Sequence, residues 1–226
     1  MKKLLLILFV LSAGFSIANA QNDEKTHFGV KGGLNVANMT IDNAGSVNDK
    51  RSVLSYNAGV YGDFAIIPVL SVQPGLFISG KGSKYTIGDE NSGTYVRVSS
   101  KPLYLELPVN LLLKIPVFNN VKIFAGAGPY IAAGIGGKNV TEGKLLDVDY
   151  KRDSKITYSS EQTGGSSANE NLKRFDGGFN VLAGVELGKF TLDVNYGYGL
   201  VNIKPGTTNN EKYQNRVIAV QAGFIF

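Results

Sequence analysis

The 226-residue chain has no cysteine, no tryptophan and a single histidine, His27. Without cysteine there is no disulfide to staple the fold and no thiol to carry a lipid anchor behind a leader. One histidine and no thiol leave a transition-metal centre short of ligands, and any Ser-His-Asp arrangement has to pass through His27, at the start of the first strand-like run. That position reads as a solvated histidine near a chain end, not a general base. After residue 20 no segment of useful length carries helical periodicity, which excludes a helical bundle. The formal net charge is +5, but two of its cations, Lys2 and Lys3, precede an apolar run. The remaining lysines and arginines are scattered and form no clustered basic face interleaved with aromatics, so nucleic acid is not an expected partner.

What is present begins with MKKLLLILFVLSAGFSIANA, two lysines, an apolar stretch and the small residues Ala18 and Ala20. The stretch is shorter than the about 20 apolar residues a spanning helix needs, and small-x-small marks a cleavage site. Residues 1–20 are therefore predicted to be a cleaved secretory signal peptide and residues 21–226 a single domain.

That domain is written in alternation. In FTLDVNYGYGL (residues 190–200) every second position is large and apolar, with Thr, Asp, Asn and Gly between. Such a period of two belongs to a strand with one oily and one polar face. Eight runs of this kind occur: Phe28–Val36, Tyr56–Ile66, Leu70–Ser79, Leu103–Leu113, Val121–Ala133, Phe175–Leu187, Phe190–Leu200 and Arg216–Phe226. Their connections alternate in length. Long links (37–54, 81–101, 135–173, 202–215) follow the odd runs, and short ones (Ile67-Pro68, KIPVFNN, Gly188-Lys189) follow the even runs. A soluble sandwich has no reason to sort loops by end, whereas an outer-membrane barrel has short periplasmic turns and long extracellular loops.

The polar face supports the same reading. It is rich in Gly, Ala, Ser and Asn with few charges, which suits a cramped lumen better than a water-facing sheet. The inward set is Lys31, Asp63, Gln73, Glu106, Asn110, Asn180, Glu186, Asp193, Asn195 and Gln221. Because unpaired buried charge is costly, these residues are expected to pair into a plug, with an open pore as the alternative. Pro74, Pro108 and Pro129 each remove a ladder donor inside a run, so gaps or bulges are expected there. Tyr56, Tyr196, Tyr198, Phe64, Phe190 and Phe226 are candidates for the interfacial rings that tryptophan does not supply.

The motifs FGVKGGLN, LSVQPGLFISGKG, YLELPVNLLLK, AGAGPY, LDVNYGYGLVNI and the terminal GFIF occur in that order. Together they resemble the PorT-like outer-membrane β-barrel family of Bacteroidetes, over nearly all of the chain after the leader. The resemblance implies an eight-stranded all-β antiparallel barrel in the outer membrane of a Gram-negative bacterium. It also places the prolines, since QP, LP and GPY are family features, while Gly75 stands where members often carry a glutamate. The family's namesake is associated with secretion of surface proteins, which makes an accessory part in secretion an alternative role here.

Other local signals carry less. IFAGAGPYIAAGIGG lacks the third glycine and the helix of a dinucleotide loop, and its glycines suit close packing in a narrow lumen. Asp147, Asp149 and Asp153 are interleaved with Lys151 and Arg152, which fits an exposed charged hairpin better than a calcium site. KLLDVDYKRDSKITYSS reads as two strands about a turn at Arg152–Lys155, whose free edge could take a partner strand within the 135–173 connection. The closing run ends on Phe224 and Phe226, a pattern resembling the signal read by the outer-membrane insertion machinery. No cofactor and no catalysis are expected; the expected partners are outer-membrane lipid, that machinery, and a protein at the 135–173 connection.

Overall fold

The computed structural model describes residues 26–42, 49–89, 94–145, 148–158, 171–205 and 212–226. The predicted leader with Ala18 and Ala20, and Asp147, lie outside the described residues. The chain forms β1 (Thr26–Asp42), β2 (Asp49–Arg51), β3 (Val53–Ile67), β4 (Leu70–Gly80), β5 (Ser83–Asp89), β6 (Thr94–Phe118) and β7 (Val121–Leu145). It continues with β8 (Val148–Lys155), β9 (Thr157–Tyr158), β10 (Asn171–Leu172), β11 (Phe175–Leu187), β12 (Phe190–Gly199) and β13 (Lys212–Ile225). Eight of these strands close on themselves, in the order β6-β4-β3-β1-β13-β12-β11-β7 and back to β6, every neighbour antiparallel. They contain the eight alternating runs except for Leu200 and Phe226, each one residue past its strand.

Closure follows from the two faces. Positions such as Leu34, Val60, Leu107, Leu111, Val181, Leu192, Val194 and Val220 are exposed on the outside, while Lys31, Asn35, Asp63, Glu106, Asn180 and Asp193 are buried within. This pattern is a soluble core turned inside out. One rim carries three two-residue turns, Pro68-Val69, Asn119-Asn120 and Gly188-Lys189. Gly188 has φ +61, a left-handed backbone that glycine adopts without a Cβ penalty. At the same rim the Phe226 amide donates to the Phe28 carbonyl at 2.9 Å, joining the last strand to the first.

Pro74, Pro108 and Pro129 are accommodated without a shift of register. Pro74 faces Val109, and the next pair between β4 and β6 is Phe77 with Glu106; between β6 and β7 the pairs jump from Pro108–Tyr130 to Leu111–Ala127. Each gap lies where a ring replaces a donor, and the alternation passes through intact.

The structure corrects the sequence reading in three places, two at the opposite rim and one at the short-turn rim. The stretches 81–101 and 135–173 read from sequence as long connections, with strands only in 144–160 of the second, yet β6 and β7 each run for 25 residues and rise past the barrel as a hairpin wall. With β2, β5 and β8 they make a five-stranded extension in the order β2-β5-β6-β7-β8. The expected turn at Arg152–Lys155 is absent: β8 passes straight through these residues, and the reversal from β7 falls between Leu145 and Val148. KIPVFNN is mostly strand, its turn reduced to Asn119-Asn120. Charge, glycine and proline signalled loop in all three places, but the cross-strand ladder of a long hairpin outweighed local composition.

On the outer face of this extension Lys151 Nζ lies 2.9 Å from Glu142 Oε1, across the β7–β8 register. The hydrogen bond from Lys151 holds the Glu142 carboxyl below the usual carboxylate range, with the Arg97 and Lys84 charges adding to it. A carboxylate depressed in this way stabilises the fold above its unfolded value and loses that contribution as pH falls through its folded one. Titration followed by carboxyl NMR is expected to show Glu142 below exposed glutamates, and Lys151→Gln should move it back up; an unmoved midpoint would contradict the pairing.

Candidate functional site

The lumen is built in layers by the inward positions of the strands. At the short-turn rim Lys114 bonds both Asp63 and Glu186, the latter at 3.0 Å, and Lys122 reaches Glu186 at 2.8 Å. Above this layer Leu112, Phe124 and Leu182 pack as an apolar cluster. Lys31 then meets Asp193 at 2.8 Å, its ammonium 4.9 Å from the centre of the Tyr61 ring. Gln73 connects these layers, accepting from Lys31 and donating to Asp63, each at 3.4 Å.

The middle of the barrel is lined by amides. Gln221 donates to Asn57 at 2.6 Å, Asn57 donates to Asn35, and Asn35 donates to Ser79 Oγ at 3.1 Å and the Gly80 carbonyl at 2.9 Å. With Asn110, Asn180 and Asn195 they surround a cavity of about 40 Å³, space for a few waters and no more. Gly75 lines the same cavity, and a Cβ there would meet the Phe77 ring at 2.5 Å. Lys31 has Asp193 as its partner, so no glutamate at Gly75 is needed to balance it.

The next layer centres on Lys81, which reaches Glu106 at 2.8 Å and Asp176 at 3.1 Å and lies 4.1 Å from the centre of the Tyr130 ring. Asp176 also accepts from Tyr130 Oη at 3.3 Å and Asn215 at 2.9 Å. Over this layer sits an apolar cap of Met39, Ile156, Leu172 and Ile203, flanked by Tyr158 and Tyr213. The parallel pairing of β9 with β10 lies within it, and Tyr158 Oη donates to the Gly136 carbonyl at 2.7 Å.

Of the ten inward residues read from sequence, nine are buried in these layers and Asn195 is half-buried at the cavity wall. Sequence reasoning missed Lys81, Lys114 and Asp176. The signal was present: Lys81 continues the parity of Ser79, Lys114 that of Leu112, and Asp176 shares the parity of Asn180 within its own run. The first two fall in stretches that read as connections, where glycine and proline interrupt the alternation. His27 lies in β1 opposite Asp63, and among the described residues no group of His, Cys, Asp and Glu is arranged to hold a metal ion. Phe226 is exposed on the outer face, its ring 5.7 Å from that of Phe224, which in turn lies 5.3 Å from Phe190. Toward the long-loop rim Arg216 stacks 3.6 Å from the centre of the Tyr198 ring.

Residues 19–204 match the family described as the outer membrane protein beta-barrel domain. The chain belongs to this family. Its barrel is therefore an outer-membrane one of a Gram-negative bacterium, which makes the short-turn rim periplasmic and the five-stranded extension extracellular. Several solved barrels are similar to it at low identity. Neisserial surface protein A is 13% identical, with 88% of this chain and 97% of that one covered and a TM-score of 0.40. Ail, the attachment invasion locus protein of Yersinia pestis, is 10% identical over 89% and 99%, TM-score 0.40, and OprG of Pseudomonas aeruginosa 9% over 89% and 96%, TM-score 0.47. No curated protein matches the chain in sequence.

Proposed function

We propose that the barrel is a non-conducting outer-membrane scaffold that holds a β-sheet at the cell surface for interaction, with no catalytic role. The observation that carries this reading is the closed lumen. Among the described residues four lysines (Lys31, Lys81, Lys114, Lys122) meet five carboxylates (Asp63, Glu106, Asp176, Glu186, Asp193) in layers from the short-turn rim up to the apolar cap. Opposite charges locked in pairs fill the lumen and offer ions no continuous water path. What reaches outward is the sheet of β2, β5, β6, β7 and β8, whose edge strand β8 is exposed along nearly all its length. Its charged sequence, VDYKRDSK, guards that edge against indiscriminate pairing and leaves it to a partner of matching charge.

Planar-bilayer recordings of the refolded chain are expected to show no stepwise conductance; discrete, reproducible openings would establish the diffusion pore instead. Crosslinking in intact cells from Tyr150 or Arg152 on β8 is expected to capture a defined partner that probes at the periplasmic Lys189 do not. The PorT-like motifs, a finer grouping within Bacteroidetes, support a second reading as an accessory of surface-protein secretion. Surface proteins retained in the periplasm after gene deletion would be its mark. Cleavage of residues 1–20 after Ala20, and recognition of Phe224 and Phe226 by the insertion machinery, belong to the same proposal.

A further inference from the structure

Three lysines distant in sequence are brought side by side on the extracellular sheet. Lys101 of β6 is directly opposite Lys138 of β7, which is directly opposite Lys155 of β8. All three are exposed. Like charges facing each other across strands repel, so the row is unfavourable unless an anion lies against it. The protein supplies little. Among the described residues Lys101 and Lys155 have no ion-pair partner, and Lys138 has only Asp153 at 4.0 Å. The other nearby carboxylate on this face, Glu142, is engaged by Lys151.

The height and direction of the row say which kind of anion would balance it. Lys101 is the first outward position beyond Leu103, since inward and outward residues alternate without interruption along this part of β6. At about 3.4 Å per residue and a tilt near ~40°, the stretch from Leu103 to Leu113 rises about 26 Å along the bilayer normal, close to the ~25 Å apolar band of outer-membrane barrels. On β7 the extra residue at Ile135, where Gly134 pairs with Tyr104 and Gly136 with Leu103, resets the parity so that Lys138 turns outward beside Lys101. Below Lys155, Phe175 is exposed on the lipid side at the start of β11. The row therefore faces sideways over the edge of the apolar band, at the level of lipid headgroups, and Lys84 and Arg97 lie on the same face above it. Lysine stems lying along apolar surface with their ammonium groups in the headgroup layer are a favourable arrangement.

We infer that the row Lys101–Lys138–Lys155 is a binding site for the phosphate groups of an anionic glycolipid of the outer leaflet. It rests on the outer-membrane placement of the barrel and not on the closed lumen, so a conducting barrel would leave it standing. Each lysine near an anionic lipid surface contributes about fivefold in affinity, and the three together about a hundredfold. The contribution falls with salt, because the groups are exposed.

The test uses the full barrel in nanodiscs of phosphatidylcholine alone, phosphatidylcholine with lipid A, or phosphatidylcholine with lipid A stripped of phosphate. Lipid A retention by native mass spectrometry and the melting temperature are the readouts. Wild type is expected to retain lipid A and melt higher in its presence, with neither effect from the stripped lipid. Lys101→Gln/Lys138→Gln/Lys155→Gln should lose both effects while melting no lower than wild type in phosphatidylcholine alone, and Lys189→Gln, at the periplasmic turn, should keep them. Should the triple variant fail to fold, Lys138→Gln alone is expected to weaken retention about fivefold. Equal retention by the variants, equal effects of phosphorylated and stripped lipid, or full stabilisation of phosphatidylcholine discs by millimolar inorganic phosphate would each overturn the assignment to a lipid headgroup.

Discussion

Lys81→Met is expected to destabilise the folded barrel by about 3–5 kcal/mol, the usual cost of removing one partner from a buried ionic cluster. The Lys81 ammonium is buried between Glu106 at 2.8 Å and Asp176 at 3.1 Å. Methionine keeps most of the volume and none of the charge, so both carboxylates would lose their cation in a lumen where the nearest space holds only a few waters. Asp176 would retain the Tyr130 hydroxyl and the Asn215 amide, and Glu106 only a long contact from Asn180 at 3.5 Å. The measurement is urea unfolding of the barrel in lipid vesicles, read by the shift between folded and unfolded forms on unheated gels. Adding Asp176→Asn to Lys81→Met should recover part of the loss, because it removes one of the two stranded charges. A single variant within 1 kcal/mol of wild type would falsify the account of a tightly paired plug.

The second large effect separates a bilayer from any aqueous surroundings. Val194 is 51% exposed at the middle of β12, with Ala183 and Val220 opposite it on the neighbouring strands. On a soluble protein an exposed Val→Arg change alters stability by about 0.5 kcal/mol or less. At the midplane of a bilayer the same change costs about 2–4 kcal/mol, falling to about 0–1 near the interfaces. Val194→Arg is therefore expected to lose about 2–4 kcal/mol in vesicles, while Tyr198→Arg, nearer the extracellular boundary, loses far less. Equal and small losses at both positions would remove the lipid from the outer face.

Much of the fold was legible because its physics is periodic. Phe190, Leu192, Val194, Tyr196 and Tyr198 declare an oily side at every second step, and the same pattern in seven other runs, sorted by alternating connection length, fixes the strand count and the side that meets lipid. Asp193 and Glu106 are legible as inward for the same reason. Lys81 and Lys114 were not, because Lys81 stands between Gly80 and Gly82 and Lys114 two residues before Pro116, so both read locally as parts of connections. The β6–β7 wall was hidden likewise: KNVTEGK and TYVRVSSK are polar enough to pass for loop, and only their mutual ladder, Tyr95 to Lys144 through Pro102 to Gly137, makes them strands.

The sequence by itself determined the eight-strand alternation, the lipid-facing side and most of the polar residues of the lumen. Alternation is a property of one strand and needs no partner to be read. Tertiary structure decided which charges meet, that Lys31 takes Asp193 and Lys81 takes Glu106 and Asp176, that a cap of Met39, Ile156, Leu172 and Ile203 covers the lumen, and that Lys101, Lys138 and Lys155 stand in one row. These facts depend on the register between strands and on closure of the ring, which bring together residues far apart in the chain, and no single segment contains them.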